Sequence, residues 1–233
     1  MTDTHIIALG GGGFSMENTP LLDDYILRLS GKKNPRICFI PTACGDADSY
    51  SIRFFRRFSS VGCYAFDLQL VRRQIADLEN YIMSMDILYV GGGNTANMLA
   101  IWREHGVDTF LKRAWSTGKI LCGISAGSIC WFEYGITDSF GPGLKPLKCL
   151  GFIPGSNCPH YDGEIERRPA YQSAIKSGLP SGYAAEDGAA IHFVNGQAYK
   201  CISSRPHAKV YRVALLNSQV QENALETTFL GQE

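Results

Sequence analysis

The chain carries no surplus charge of either sign: 22 Lys and Arg stand against 22 Asp and Glu, a formal net charge of zero over 233 residues. A protein that grips nucleic acid through its phosphates shows a basic excess, so no nucleic-acid partner is expected. Long apolar runs are missing too. Ile87 to Val90 is typical of those present, far short of the roughly 20 residues that cross a bilayer, so no membrane partner is expected. The start, Met1-Thr2-Asp3-Thr4-His5, has neither the basic region nor the apolar core of a secretory signal, and a cytoplasmic location is expected. The eight cysteines include no Cys-x-x-Cys pair, and no two of the five histidines have metal-ligand spacing. Reduced, mostly buried thiols are expected, with no metal and no cofactor. No linker, charge run, low-complexity stretch or repeat interrupts the chain, which reads as a single α/β domain over 1–233.

What is present is a rhythm. Strand-like runs at Ile6–Leu9, Ile37–Ile40, Tyr64–Leu70, Ile87–Val90 and Lys119–Gly123 alternate with amphipathic segments at Ser49–Phe58, Ile75–Met83, Thr95–Trp102 and Val107–Trp115. A further helix is expected after Thr19 as N-cap and Pro20 as first residue, stopping at Gly31. Such alternation predicts a mostly parallel sheet sandwiched by helices. Ala126–Tyr134 reads as the helix after the fifth strand. Pro169 is expected to open a short helix ending at Gly178. Beyond it, Asn195-Gly196 between Ala189–Val194 and Gln197–Ile202 predicts a hairpin with a type I′ turn. Lys209–Leu215 is the last strand expected, with a polar tail after Asn217 that frays.

The sharpest motif is Gly123-Ile124-Ser125-Ala126-Gly127, a G-x-S-x-G between a strand and a helix. A strand that turns at once into a helix strains its central residue and tolerates only small neighbours, as found here. Ser125 is therefore the expected nucleophile. Gly91-Gly92-Gly93-Asn94-Thr95 also ends a strand and opens a helix, and the Gly93 amide is the best candidate for a second oxyanion donor. Gly10 to Gly13 fails the dinucleotide fingerprint, because Ser15 stands where its third glycine belongs, and no glycine loop is followed by a Walker lysine.

A serine nucleophile needs a base, and the base a carboxylate. His160, in Asn157-Cys158-Pro159-His160-Tyr161-Asp162, precedes a polar loop and is the first candidate; His192, alternating with Ile191 and Phe193, is the second. For the acid, Asp138, Glu186 and Asp187 all remain open, with Glu186 favoured because Asp187-Gly188 already has a reading as a turn.

Taken together, the elbow with Trp131 downstream, Pro159-His160-Tyr161, Pro41-Thr42-Ala43 and the Gly91–Thr95 segment resemble the peptidase E family of serine peptidases, which includes the α-aspartyl dipeptidases and, more distantly, cyanophycinase. The resemblance extends to roughly Tyr211. It implies a class I glutamine amidotransferase-like (flavodoxin-like) fold, Ser125 as nucleophile, His160 as base, and Gly93 and Ala126 as oxyanion amides. Glu186 matches the family's third member, and Asp138 matches an alternative proposed for it. The resemblance also implies that Arg167 or Arg168 grips a substrate aspartate, although the spacing from His160 is shorter than in the characterised dipeptidases. The expected activity is hydrolysis of short peptides, dipeptides with N-terminal aspartate first among them, by a monomer or homodimer. An esterase or amidase acting on a non-peptide substrate, and a non-catalytic sensor or scaffold, are the competing readings.

Overall fold

Alternation within the first strand decides which way the sheet is covered. In the computed structural model, which describes residues 2–18 and 20–232, β1 (His5–Leu9) sends Ile6 and Ala8 to one core and Ile7 and Leu9 to the other, as a period of two requires. Beside it, β5 (Ile120–Ile124), β4 (Ile87–Val90), β2 (Arg36–Ile40) and β3 (Tyr64–Asp67) follow in that order, all parallel. Helices α1 (Leu21–Leu29) and α2 (Asp48–Ser60) cover one face with Leu22, Ile26, Phe54 and Phe58. On the other face, α3 (Leu78–Met83), α4 (Thr95–His105) and α5 (Val107–Ser116) contribute Ile82, Met98, Trp102 and Leu111. The α/β class thus holds, and the ends of β1, β4 and β5 share one edge. Thr19, expected to cap α1, lies outside the described residues; Pro20 directly precedes the helix.

The sheet is completed by β10 (Ala189–Val194), antiparallel to β1, then β11 (Gln197–Ser203) and β14 (Thr227–Phe229). Asn195 and Gly196 have φ of 52° and 77°, the two left-handed residues of the expected hairpin turn.

Two expectations fail here, and a second sheet joins the first. The helix expected over Ala126–Tyr134 is one turn, α6 (Ala126–Ile129), and the chain then enters β6 (Phe132–Thr137). Phe132, Tyr134, Ile136 and Thr137 are strand formers, and Gly135 lets β6 lie so close to α6 that a Cβ there would stand 2.3 Å from Ile129 Cγ2. β6 belongs to a six-stranded sheet, with β7 (Lys145–Lys148), β8 (Ile153–Cys158), β9 (Gly182–Ala185), β12 (Val210–Leu216) and β13 (Gln219–Leu225) in the order β13-β12-β9-β8-β6-β7. Helix α7 (Arg167–Lys176) packs its Tyr171 and Ile175 into a small core with Val213 of β12. Finally, the tail after Asn217 is ordered. Asn217 and Ser218 have φ of 51° and 63°, a tight turn that folds β13 back on β12. Its polar composition hid a strand that is mostly exposed.

Candidate active site

Ser125 leaves β5 with φ 57° and ψ −114°, a conformation that L-residues avoid. Its glycine surround is required sterically. A Cβ on Gly123 would stand 2.4 Å from the Gly127 carbonyl oxygen, and one on Gly127 would stand 2.3 Å from that of Val90. Gly92 brings the β4 loop against the serine, where a Cβ would meet Ser125 Cβ at 3.1 Å. Gly93, at φ 136°, could carry no side chain, because its Cβ would stand 2.2 Å from the Ala43 carbonyl oxygen. The Gly93 and Ala126 amides donate to no backbone acceptor in the loop and turn network of the described residues.

His160 arrives from the other sheet. It follows β8 and Pro159, adopts φ 54°, and donates its backbone N–H to the Gly10 carbonyl at 3.1 Å. Since Leu9 pairs with Ile124 in register, Gly10 continues beside Ser125, and this seat on Gly10 places His160 at the same strand ends as Ser125. His160 and Ser125 make no direct hydrogen bond among the described residues. His192, the other candidate base, lies far along β10, buried against His5 and Tyr25, and burial pushes its imidazole down to about 4.

The acid partner of His160 is Asp187, with Nδ1 and Oδ1 2.6 Å apart. Glu186 does not fill that role. Its carboxylate turns to the opposite side of the strand end, where it accepts from the Tyr211 hydroxyl and the Lys209 amide, both at 2.8 Å. Neighbours on an extended segment point to opposite faces, so only one of the two can reach the histidine. Asp138 is exposed at a turn after β6, its carbonyl accepting from Gly141, and no hydrogen bond or ion pair joins it to His160 among the described residues. Asp187 itself is held by Asp162, whose Oδ1 accepts its amide at 2.8 Å while Oδ2 accepts from Arg205 at 2.6 Å.

Two glycines that sequence reasoning left without a role shape this pair. A Cβ on Gly11 would stand 2.0 Å from Asp187 Oδ1 and 3.1 Å from His160 Nδ1; one on Gly163 would stand 2.2 Å from Asp187 Oδ2. Glu17 ties the same turn down, accepting from the Gly13 amide at 2.9 Å and from the Ser204 hydroxyl; burial pushes its carboxyl up despite these bonds. Gly11→Ala is therefore expected to keep the fold and lower kcat/KM by about 100-fold, since displacement of a reacting group by about 1 Å costs that much. Near-normal turnover with a normal circular dichroism spectrum would count against the dyad.

Both arginines expected to grip substrate are already engaged. Arg167 is buried, pairing with Glu164 at 2.7 Å and donating to the Ile136 carbonyl at 3.3 Å. Arg168 makes two parallel bonds to Glu222. On the opposite flank of the serine, Tyr50 reaches the Gly92 amide at 3.5 Å, and the guanidinium of Arg53 lies 5.0 Å above the Tyr50 ring. Arg53 has no carboxylate partner among the described residues. In the same described set, no group of three or more His, Cys, Asp or Glu is placed to hold a metal, and no helix is long and apolar enough to cross a membrane.

A family model described as Peptidase family S51 matches residues 6–201. Among curated proteins, the uncharacterized peptidase YgaJ of Bacillus subtilis is 53% identical over 228 residues, covering 97% of this chain and 99% of its own. Peptidase E of Streptomyces coelicolor is 27% identical over 128 residues, 54% of this chain and 51% of its own. Among solved structures, a peptidase from an acI-B1 Actinobacterium superposes with a TM-score of 0.68 at 16% identity, covering 95% of this chain and 97% of that one; at that identity the likeness shows the fold.

Proposed function

We propose that this chain, which belongs to peptidase family S51 and is a peptidase, hydrolyses short peptides through an acyl-enzyme on Ser125. The observation that carries this reading is the 2.6 Å His160–Asp187 hydrogen bond beside a strained serine elbow. Asp187 fixes the ring tautomer with Nδ1 protonated, leaving Nε2 to accept the Ser125 proton. Ser125 Oγ then attacks the peptide carbonyl. The Gly93 and Ala126 amides receive the developing oxyanion, and His160 passes its proton to the leaving amine. Water, deprotonated by the same imidazole, attacks the acyl-serine carbonyl and releases the acid. No cofactor enters any step.

Dipeptides with N-terminal aspartate are the first substrates to expect. For their carboxylate, Arg53 is the guanidinium we assign: it donates to the Ser15 carbonyl at 3.3 Å but has no carboxylate partner among the described residues, whereas Arg167 and Arg168 serve the framework. A panel of aspartyl dipeptides, alanyl dipeptides and simple aryl esters tests this. Aspartyl dipeptides are expected to be cut fastest. Equal rates on alanyl dipeptides would remove the aspartate preference, and turnover of esters alone would favour a non-peptide esterase.

A further inference from the structure

The His160–Asp187 pair joins two loops from different parts of the second sheet, and something must hold those loops at hydrogen-bonding distance. Tyr161 follows His160, and Glu186 precedes Asp187. The Tyr161 amide donates to the Ala185 carbonyl at 3.1 Å, so the two loops are already tied once. Their side chains then run outward to a common centre. The Arg168 guanidinium sits against two neighbouring aromatic rings whose centroids are 5.5 Å apart, 5.2 Å from the Tyr161 centroid and 5.0 Å from that of Tyr211. Tyr211 donates its hydroxyl to Glu186, and Tyr161 donates its own to Glu222. Glu222 completes the ring, accepting from Arg168 Nε at 3.1 Å and Gln172 Nε2 at 2.8 Å.

We propose that the β12–β13 strand pair is a positioning device for the dyad, in which Tyr211 and Glu222 clamp the loops of His160 and Asp187 together through Arg168. It rests on the reading of that dyad given above. Glu222 stands on β13, beyond residue 201 where the family match ends, so the clamp is built partly from chain that the family model does not describe. The carboxylate is only 14% exposed and is met by three donors from two segments. Such a part-buried anion with several donors fixes geometry rather than merely decorating a surface. Burial would raise its carboxyl, but the hydrogen bonds from Arg168, Tyr161 and Gln172 hold it below the ordinary value. In the clamp these residues have a positioning role, acting through the backbone on either side of the His160–Asp187 pair.

The test compares Glu222→Gln and Tyr211→Phe with the unaltered enzyme by kinetics and by proton NMR. The low-field resonance of the His160 Nδ1 proton is identified by its loss in Asp187→Asn. Both variants are expected to broaden or shift that resonance, and to lower kcat by about tenfold with KM nearly unchanged, because a small misplacement of the base is felt in the chemical step. A lower melting temperature with an unmoved resonance and unchanged kcat per folded molecule would overturn the clamp. Should Glu222→Gln fail to fold, Tyr211→Phe, which removes one hydroxyl, decides alone. The resonance reports on the pair whether or not Ser125 is the nucleophile, so failure of the clamp and failure of the peptidase mechanism are distinguishable.

Discussion

Ser125→Ala is expected to lower kcat on any cleaved peptide by about 10⁵- to 10⁶-fold, the scale on which serine hydrolases lose turnover without their nucleophile. The loss should come with little change in fold. The residue before it, Ile124, is buried in β5, and the residues after it are fixed by backbone bonds from Ser128 and Ile129 to the Ser125 carbonyl, which alanine retains. A second substitution exposes the strain. At φ 57° a side chain costs on the order of 1 kcal/mol that glycine does not incur. Ser125→Gly should therefore be equally inactive and melt at a higher temperature than Ser125→Ala. Retained hydrolysis in either variant would remove Ser125 from the mechanism, and equal melting temperatures would remove the strain from the account of the elbow.

The second large effect separates two adjacent carboxylates. Asp187→Asn is expected to cost about 10⁴-fold in kcat, because an amide facing Nδ1 stabilises the wrong imidazole tautomer. Glu186→Gln should cost no more than about tenfold, since its partners are Tyr211 and the Lys209 amide and it acts on the dyad only through the backbone. Steady-state kinetics on a single peptide reads both. If Glu186→Gln proved the more damaging, the 2.6 Å His160–Asp187 contact would not be the working pair in solution.

The difference between these two residues shows what the sequence could convey. The elbow was legible because its causes are local: glycine at 123 and 127 is dictated by carbonyls a few residues away or on the adjacent strand. The parallel sheet was legible for the same reason, as each strand and helix carries its own period. Asp187 was obscured by Gly188, whose φ of 74° confirms the turn that the pair Asp-Gly suggests. Both readings hold at once, since the turn is what presents the carboxylate. Choosing between Glu186 and Asp187 needed the alternation of side chains at the end of β9, and that phase is set by pairing with β12, which is 25 residues onward. The same dependence on partners further along the chain concealed β6, which pairs with β8, whereas β13 pairs with its neighbour β12 and was hidden by its polar composition. Arg168 carries a further lesson, because Asp162, Glu164 and Glu166 precede it closely, yet its carboxylate partner is Glu222, 54 positions away.

In the proposed mechanism Ser125 is a nucleophile activated by the His160–Asp187 pair. The most direct measurement of that role is exposure of the protein to a fluorophosphonate, followed by peptide mapping of the adduct by mass spectrometry. The expected result is a single phosphonylated peptide with the label on Ser125, absent in Ser125→Ala and formed far more slowly in His160→Ala. A protein that stays unlabelled, or that is labelled at another residue at an undiminished rate in Ser125→Ala, would contradict it.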